Sequence, residues 1–89
     1  MNTYIVFKMD ELKRVVKALQ EIRLAVGARY ESEVTRFIST VSSKGVNPSL
    51  SLKRSNLERL STELHTLELR HGISLGQTIY HFIHSFHKR

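Results

Sequence analysis

Two short stretches of the chain have the residue pattern of a strand with one buried face. Residues 3–8 are rich in β-branched and aromatic side chains, and residues 49–53 alternate strictly between leucine and a serine or lysine. The inward side chains are predicted to be Ile5, Phe7, Leu50 and Leu52. The outward side chains are then Tyr4, Val6, Lys8, Ser49, Ser51 and Lys53.

Four other stretches place apolar residues three and four positions apart, which is the spacing of one face of a helix. The stripes are Leu12, Val15, Val16, Leu19, Ile22 and Val26; Val34, Phe37, Ile38 and Val41; Leu57, Leu60, Leu64 and Leu67; and Ile79, Phe82, Ile83 and Phe86. This pattern predicts four amphipathic helices, two after each strand. We interpret the stripes as core positions rather than as a cofactor site.

Residues typical of helix ends flank these stripes. The candidate N-caps are Asp10 for the first helix, Ser55 in a capping box with Glu58 for the third, and Ser74 for the fourth. Gly27 and Gly72 are predicted to end the first and third helices, because glycine adopts a positive φ without strain.

The two halves of the chain carry this pattern at an offset of 45 residues, which lays residues 2–44 on residues 47–89 without a gap. Nine aligned pairs are identical, whereas ordinary composition gives about two or three by chance. We predict a single domain, 1–89, built of two repeats, 1–45 and 46–89. The alternative is a pair of unrelated helical hairpins whose apolar spacings coincide.

Length and composition limit the class of protein. A unit of about 45 residues is too short to bury an adequate core alone, so two units must share one, within a chain or between chains. The chain has no cysteine, which excludes disulfides and thiolate metal sites. No apolar run reaches the length of a membrane span and no signal peptide is visible, so a cytoplasmic location is expected.

The charge of the chain favours an acidic partner. The net charge is +6 at pH 7 and each half contributes +3, which suits two copies of one function. Nucleic acid is the first candidate partner, and an anionic membrane is the second.

The turn Gly72-Ile73-Ser74, with an apolar helix after it and an alternating strand about 20 residues before it, resembles a known family. It is similar to the Gly-x-Ser turn of the ribbon-helix-helix DNA-binding proteins, the family of the Arc and Met repressors. The resemblance implies a mainly α fold in which two strands pair as an antiparallel ribbon over four helices. Here it implies a single-chain pseudo-dimer of order β-α-α-β-α-α. The alternative architecture is an irregular four-helix bundle with disordered strand segments.

The same resemblance implies a DNA-binding site. The outward residues Tyr4, Val6, Lys8, Ser49, Ser51 and Lys53 would meet base edges in the major groove. The expected backbone-phosphate contacts are Ser74 and the amide of Leu75 at the start of the last helix, together with Arg29 and Arg54. The first unit departs from the family pattern, with Arg29 at the position of Ser74. The alternatives are that the six strand residues form a solvated sheet face, that Ser74 is an ordinary N-cap, and that the arginines are solvated.

Other chemistry has little support in the sequence. His81, His84 and His87 stand three apart, but they align with surface positions of the first repeat and have no carboxylate or cysteine nearby, so no metal site is predicted. His71, before the glycine turn, is expected to be half-buried. Paired carboxylates, a nucleophile motif and a phosphate-binding glycine loop are not evident, so neither an enzyme, a small-molecule substrate nor a cofactor is predicted.

Two functions follow as hypotheses. The first is a sequence-specific double-stranded DNA-binding protein that acts as a transcriptional repressor or as an accessory to DNA processing, with self-association on DNA. Tandem units of this kind resemble relaxosome accessory proteins of conjugative plasmids and some viral transcription regulators. The alternative is a basic helical protein-interaction module, similar to an antitoxin or inhibitor, with only nonspecific affinity for nucleic acid.

Overall fold

The computed structural model describes residues 3–27 and 32–88, which form four helices and a two-stranded antiparallel sheet. The elements are β1 (Tyr4–Lys8), α1 (Met9–Val26), α2 (Ser32–Ser43), β2 (Ser49–Lys53), α3 (Arg54–His71) and α4 (Gln77–His87). The prediction of a mainly helical chain with one short antiparallel ribbon is confirmed. Within the described residues, no helix is both long and apolar enough to cross a membrane.

The elements of the second half begin 45 residues after those of the first. Both strands have five residues, α1 and α3 have 18 each, and α2 and α4 have 12 and 11. Helix α1 packs against α2 and α4, and α2 also packs against α3. The two halves therefore interlock around one continuous core rather than forming separate hairpins.

The ribbon formed by β1 and β2 has an approximate two-fold axis at its centre. Val6 lies opposite Ser51, and these two positions are equivalent in the two halves. Beyond the strands, the Met9 N–H donates to the Pro48 carbonyl at 2.9 Å and the Arg54 N–H donates to the Thr3 carbonyl at 2.8 Å. Each of these bonds is the counterpart of the other, so the ribbon is closed in the same way at both ends.

These two backbone bonds explain why the predicted N-caps of the first and third helices are wrong. Helix α1 begins at Met9 and α3 at Arg54, and neither has a side-chain cap hydrogen bond. The first amide of each helix already donates across the ribbon, so the helix follows the strand directly. Asp10 and Ser55 consequently lie inside the first turns, Glu58 lies beyond the first turn of α3, and the predicted capping box is absent.

The glycines predicted to end α1 and α3 do follow those helices, but with different backbone conformations. Gly72 is left-handed helical, with φ 61° and ψ 36°, and its N–H donates to the Glu68 carbonyl. Gly27 has φ 85° and ψ 143°, so the chain leaves α1 in an extended direction. The C-terminal ends of α1 and α3 therefore differ, although the glycines occupy equivalent positions.

The predicted apolar stripes form most of the core beneath the ribbon. Phe82 of α4 lies at its centre, with ring centroids 5.2 Å from Phe7, 5.7 Å from Phe37 and 5.5 Å from Phe86. Val16 and Val26 only pack against its edge. The inner face of the sheet therefore packs against the helices, and its outer face is not part of the core.

Candidate nucleic-acid interface

The outer face of the ribbon brings together the six residues that the sequence predicted to point outward. The cross-strand register pairs Tyr4 with Lys53, Val6 with Ser51, and Lys8 with Ser49. Five of the six are exposed, and Lys53 is half-buried. These residues, here called the ribbon face, form a continuous strip of three cross-strand pairs.

The chemistry of the ribbon face is basic and partly apolar. Lys8 and Lys53 occupy equivalent positions at opposite ends of the strip, which contains no acidic residue. Tyr4 is 58% exposed and Val6 is 60% exposed, so two large apolar side chains point away from the core. Ser49 and Ser51 add hydroxyl groups that both donate and accept hydrogen bonds.

The inner face of the ribbon holds this strip in place. Ile5, Phe7 and Leu52 are buried and Leu50 is half-buried, so the alternation predicted for both strands is present. A shift of one residue in register would expose these side chains and bury the lysines, which strongly disfavours slippage. The outward residues are therefore presented in one fixed arrangement.

The predicted N-cap at Ser74 is wrong. Helix α4 begins at Gln77, with Gly76 as its N-cap and no side-chain cap hydrogen bond. The Ser74 hydroxyl instead accepts a hydrogen bond from the Gly76 N–H at 3.3 Å, within the preceding turn. Leu75 is buried between them, which draws the turn onto the core, and the helix begins two residues later than predicted, at Gln77 rather than Leu75.

The other predicted phosphate contacts have partners within the chain or lie outside the described residues. The Leu75 N–H donates to the Tyr80 hydroxyl at 3.4 Å. Arg54 is half-buried, and its Nη1 donates to the Phe86 carbonyl at 3.2 Å, which ties the start of α3 to the end of α4. Arg29 is not among the described residues.

A polar groove lies where the first turn of α4 meets the first turns of α1. It is lined on the α1 side by Glu11 and Arg14 and on the α4 side by Gln77, Thr78 and His81. Because α1 follows β1 directly, this groove, here called the α4 groove, is close to one end of the ribbon. The two helices that line this groove are distant in the sequence, so the spacing of residues along the chain could not predict it.

The equivalent place, where the first turn of α2 meets α3, is here called the α2 groove and has a different set of contacts. Glu33 lies 3.5 Å from the guanidinium of Arg36 and 3.7 Å from that of Arg59. Arg59 also donates to the Asn56 side-chain carbonyl. The Val34 N–H, in the first turn of α2, donates to the Glu63 carboxylate at 2.8 Å.

The histidines lie on the surface. His81, His84 and His65 are exposed, with His65 3.7 Å from Glu68, and His87 stacks on Phe86. His71 is exposed rather than half-buried, because it lies in the last turn of α3 on the side away from the core. Among the residues that the structure describes, no group of three or more His, Cys, Asp or Glu side chains could hold a metal ion.

No protein-family model matches the chain, and neither the curated proteins nor the solved structures include a significant match. The resemblance to ribbon-helix-helix proteins therefore stays a prediction from the sequence.

Proposed function

We propose that the protein binds double-stranded DNA in a sequence-specific manner by inserting the ribbon face into the major groove. The observation that carries this proposal is the strand register, which places six outward residues on one exposed strip above a buried core. On this proposal the chain is a ribbon-helix-helix pseudo-dimer of two repeats, 1–45 and 46–89, acting as a repressor or as an accessory to DNA processing.

The dimensions of the ribbon support this mode of binding. Two paired strands lie about 4.8 Å apart, and the major groove of B-DNA is about 12 Å wide. A two-stranded ribbon with its side chains therefore fits the groove. Each base pair there shows a distinct pattern of donors and acceptors, so the outward side chains can distinguish sequences.

Each outward residue has a contact suited to its chemistry. Lys8 and Lys53 can donate to guanine O6 and N7, while Ser49 and Ser51 can donate to or accept from a base edge. The exposed side chains of Tyr4 and Val6 can pack on thymine methyl groups, which would remove their apolar surface from water. We therefore assign base contact to all six residues.

The approximate two-fold axis of the ribbon determines the form of the DNA site. Lys8 and Lys53 are equivalent, so they would contact similar bases at the two ends of the site. Val6 and Ser51 are equivalent in position but differ in chemistry, as do Tyr4 and Ser49. The preferred site would thus be palindromic at its lysine-contacted ends and asymmetric elsewhere.

Backbone contacts would come from the α4 groove. A helix N-terminus has unpaired N–H groups and a partial positive charge, both of which favour a phosphate. Arg14 lies in the same groove and adds a cation. We place the phosphate contact at the amides of Gln77 and Thr78, with Ser74 and Leu75 acting through the turn before them.

The test is selection of bound sequences from random duplex DNA at near-physiological salt, followed by affinity measurement on the selected duplex. Salt matters because phosphate attraction alone gives tight binding when salt is low. The double variant Ser51→Ala/Lys53→Ala should weaken binding to the selected duplex at least tenfold, since each good base contact contributes about 1–3 kcal/mol.

The matched control is Lys17→Ala/Ser42→Ala, which removes the same residue types and charge from exposed helix positions. It should retain most of the specific affinity. The proposal fails if no sequence is enriched, or if both double variants bind the selected duplex as the parent protein does.

A protein-interaction function is the second candidate, and one observation favours it. A largely apolar groove between α3 and α4 is lined in part by His65, Tyr80 and Ile83. Leu69, one turn beyond His65, is 85% exposed. This candidate predicts nucleic-acid binding only at low salt, without sequence preference, so the selection experiment distinguishes the two.

A further inference from the structure

The start of α2 already has an anionic partner within the chain. The Val34 N–H donates to Glu63 Oε2 at 2.8 Å, and Glu63 belongs to α3, 29 residues away in sequence. This N–H is in the first turn of α2, where backbone donors have no partner within the helix. A carboxylate at this position also interacts favourably with the helix dipole. Glu63 thus occupies a place where an external anion could otherwise bind.

The cations beside this position are also engaged. Arg36 and Arg59 both lie within ion-pair distance of Glu33, whose side chain is only 17% exposed. The two arginine side chains are 60% and 54% exposed, so solvent weakens each ion pair. Glu33 and Glu63 nevertheless place two carboxylates in the α2 groove. They lie where a phosphate would meet the amide and the guanidinium groups.

The α4 groove lacks both of these carboxylates. The repeat alignment places Ala18 at the position of Glu63 and Thr78 at the position of Glu33, while Arg14 matches Arg59. Glu11 is the one acidic residue that lines the groove beside Arg14. Helix α4 has no side-chain cap hydrogen bond at Gly76 in the described chain. The two equivalent grooves therefore differ, because Glu33 and Glu63 lie in the α2 groove and have no acidic counterparts at the same positions of the α4 groove.

We propose that Glu33 and Glu63 act as built-in substitutes for a phosphate in the α2 groove and so confine backbone anchoring to the α4 groove. This inference rests on the proposed DNA-binding function. The consequence is that the protein contacts phosphates on one flank of its site only. It therefore binds in a single orientation, although its fold is nearly two-fold symmetric.

The experiment exchanges the residues that differ between the two grooves. The variant Glu33→Thr/Glu63→Ala gives the α2 groove the residues of the α4 groove, and Ala18→Glu/Thr78→Glu makes the reverse change. The control is Glu58→Ala/Glu68→Ala, which removes two negative charges from α3 but leaves both glutamates of the α2 groove. Phosphate-ethylation interference and the salt dependence of affinity are measured on the selected duplex.

The parent protein should show interference on one flank. Glu33→Thr/Glu63→Ala should add the other flank, bind two- to fivefold more tightly than the control variant, and steepen the logarithmic salt slope by about 0.9 for one added phosphate contact. Ala18→Glu/Thr78→Glu should lose the original flank and reduce the slope by a similar amount.

Interference on both flanks of the parent complex would overturn the inference, as would a Glu33→Thr/Glu63→Ala variant that behaves like the control. Either result leaves ribbon-dependent sequence specificity intact, so the proposed function would survive. A parent protein without sequence-specific binding would overturn both. If circular dichroism shows that Glu33→Thr/Glu63→Ala is unfolded, the parent footprint and the Ala18→Glu/Thr78→Glu variant decide.

Discussion

The first half of the molecule (β1, α1 and α2) and the second half (β2, α3 and α4) have the same elements at the same spacing. Their buried positions carry similar apolar residues, because both halves contribute the same kind of surface to one core. Two of the three equivalent pairs of outward strand residues differ, and so do the starts of α2 and α4. Packing therefore makes the halves alike, while the surfaces available for binding distinguish them.

The largest expected effect concerns two equivalent phenylalanines. The Phe82 ring contacts three other rings, whereas Phe37 contacts only Phe82 among the aromatic residues of the described chain. Phe82→Ala should lower the free energy of unfolding by about 4 kcal/mol and Phe37→Ala by about 3 kcal/mol, because the first leaves the larger cavity. Urea unfolding measures both values. Equal losses would show that the halves contribute equally to the core.

The two equivalent lysines of the ribbon face provide the next comparison, in which equal effects are expected. Lys8→Ala and Lys53→Ala should each weaken specific DNA binding about tenfold, because each removes a donor to a base edge. Both changes should leave the unfolding free energy nearly unchanged, since neither side chain is part of the core. Fluorescence anisotropy on the selected duplex gives the affinities. A large loss for only one lysine would contradict the two-fold relation of their contacts.

Substitution by asparagine should change the stability of the protein differently at the glycines after α1 and α3. Gly72→Asn should change stability by less than about 0.5 kcal/mol, because asparagine tolerates the left-handed conformation. Gly27→Asn should cost about 1–3 kcal/mol, since φ 85° with ψ 143° lies near the region that only glycine occupies readily. Thermal and urea unfolding compare the two. Similar small losses would mean that the turn after α1 can rearrange.

The smallest expected effect concerns the starts of α2 and α4. Glu63→Ala removes a carboxylate from the first turn of α2 and should cost about 1 kcal/mol of stability. Ser74→Ala removes only a 3.3 Å bond inside a turn, so its cost should stay below about 0.5 kcal/mol. Chemical unfolding can resolve this difference. A larger loss for Ser74→Ala would restore it as the helix cap.

Much of the fold could be predicted from the sequence because periodicity reports burial directly. The alternation of residues 49–53 identified both faces of β2, and the apolar stripes identified the helices that lie beneath the ribbon. The glycines located two helix ends, because few other residues adopt a positive φ. These features are determined by residues that are close together in the sequence, so one sequence is enough to predict them.

The features that could not be predicted depend on distant parts of the chain. The first amides of α1 and α3 are satisfied across the ribbon, which removes the need for caps at Asp10 and Ser55. Burial of Leu75 sets where α4 begins. Glu63 reaches Val34 from another helix, and the only signal in the sequence was that Ala18 stands at its equivalent position.

The most direct test of the central claim is an NMR titration of the isotope-labelled protein with the selected duplex at near-physiological salt. The proposed mode predicts that the largest chemical-shift changes fall on the ribbon face and on the first turn of α4. Changes confined to the groove between α3 and α4, with the ribbon face unaffected, would contradict DNA recognition by the ribbon.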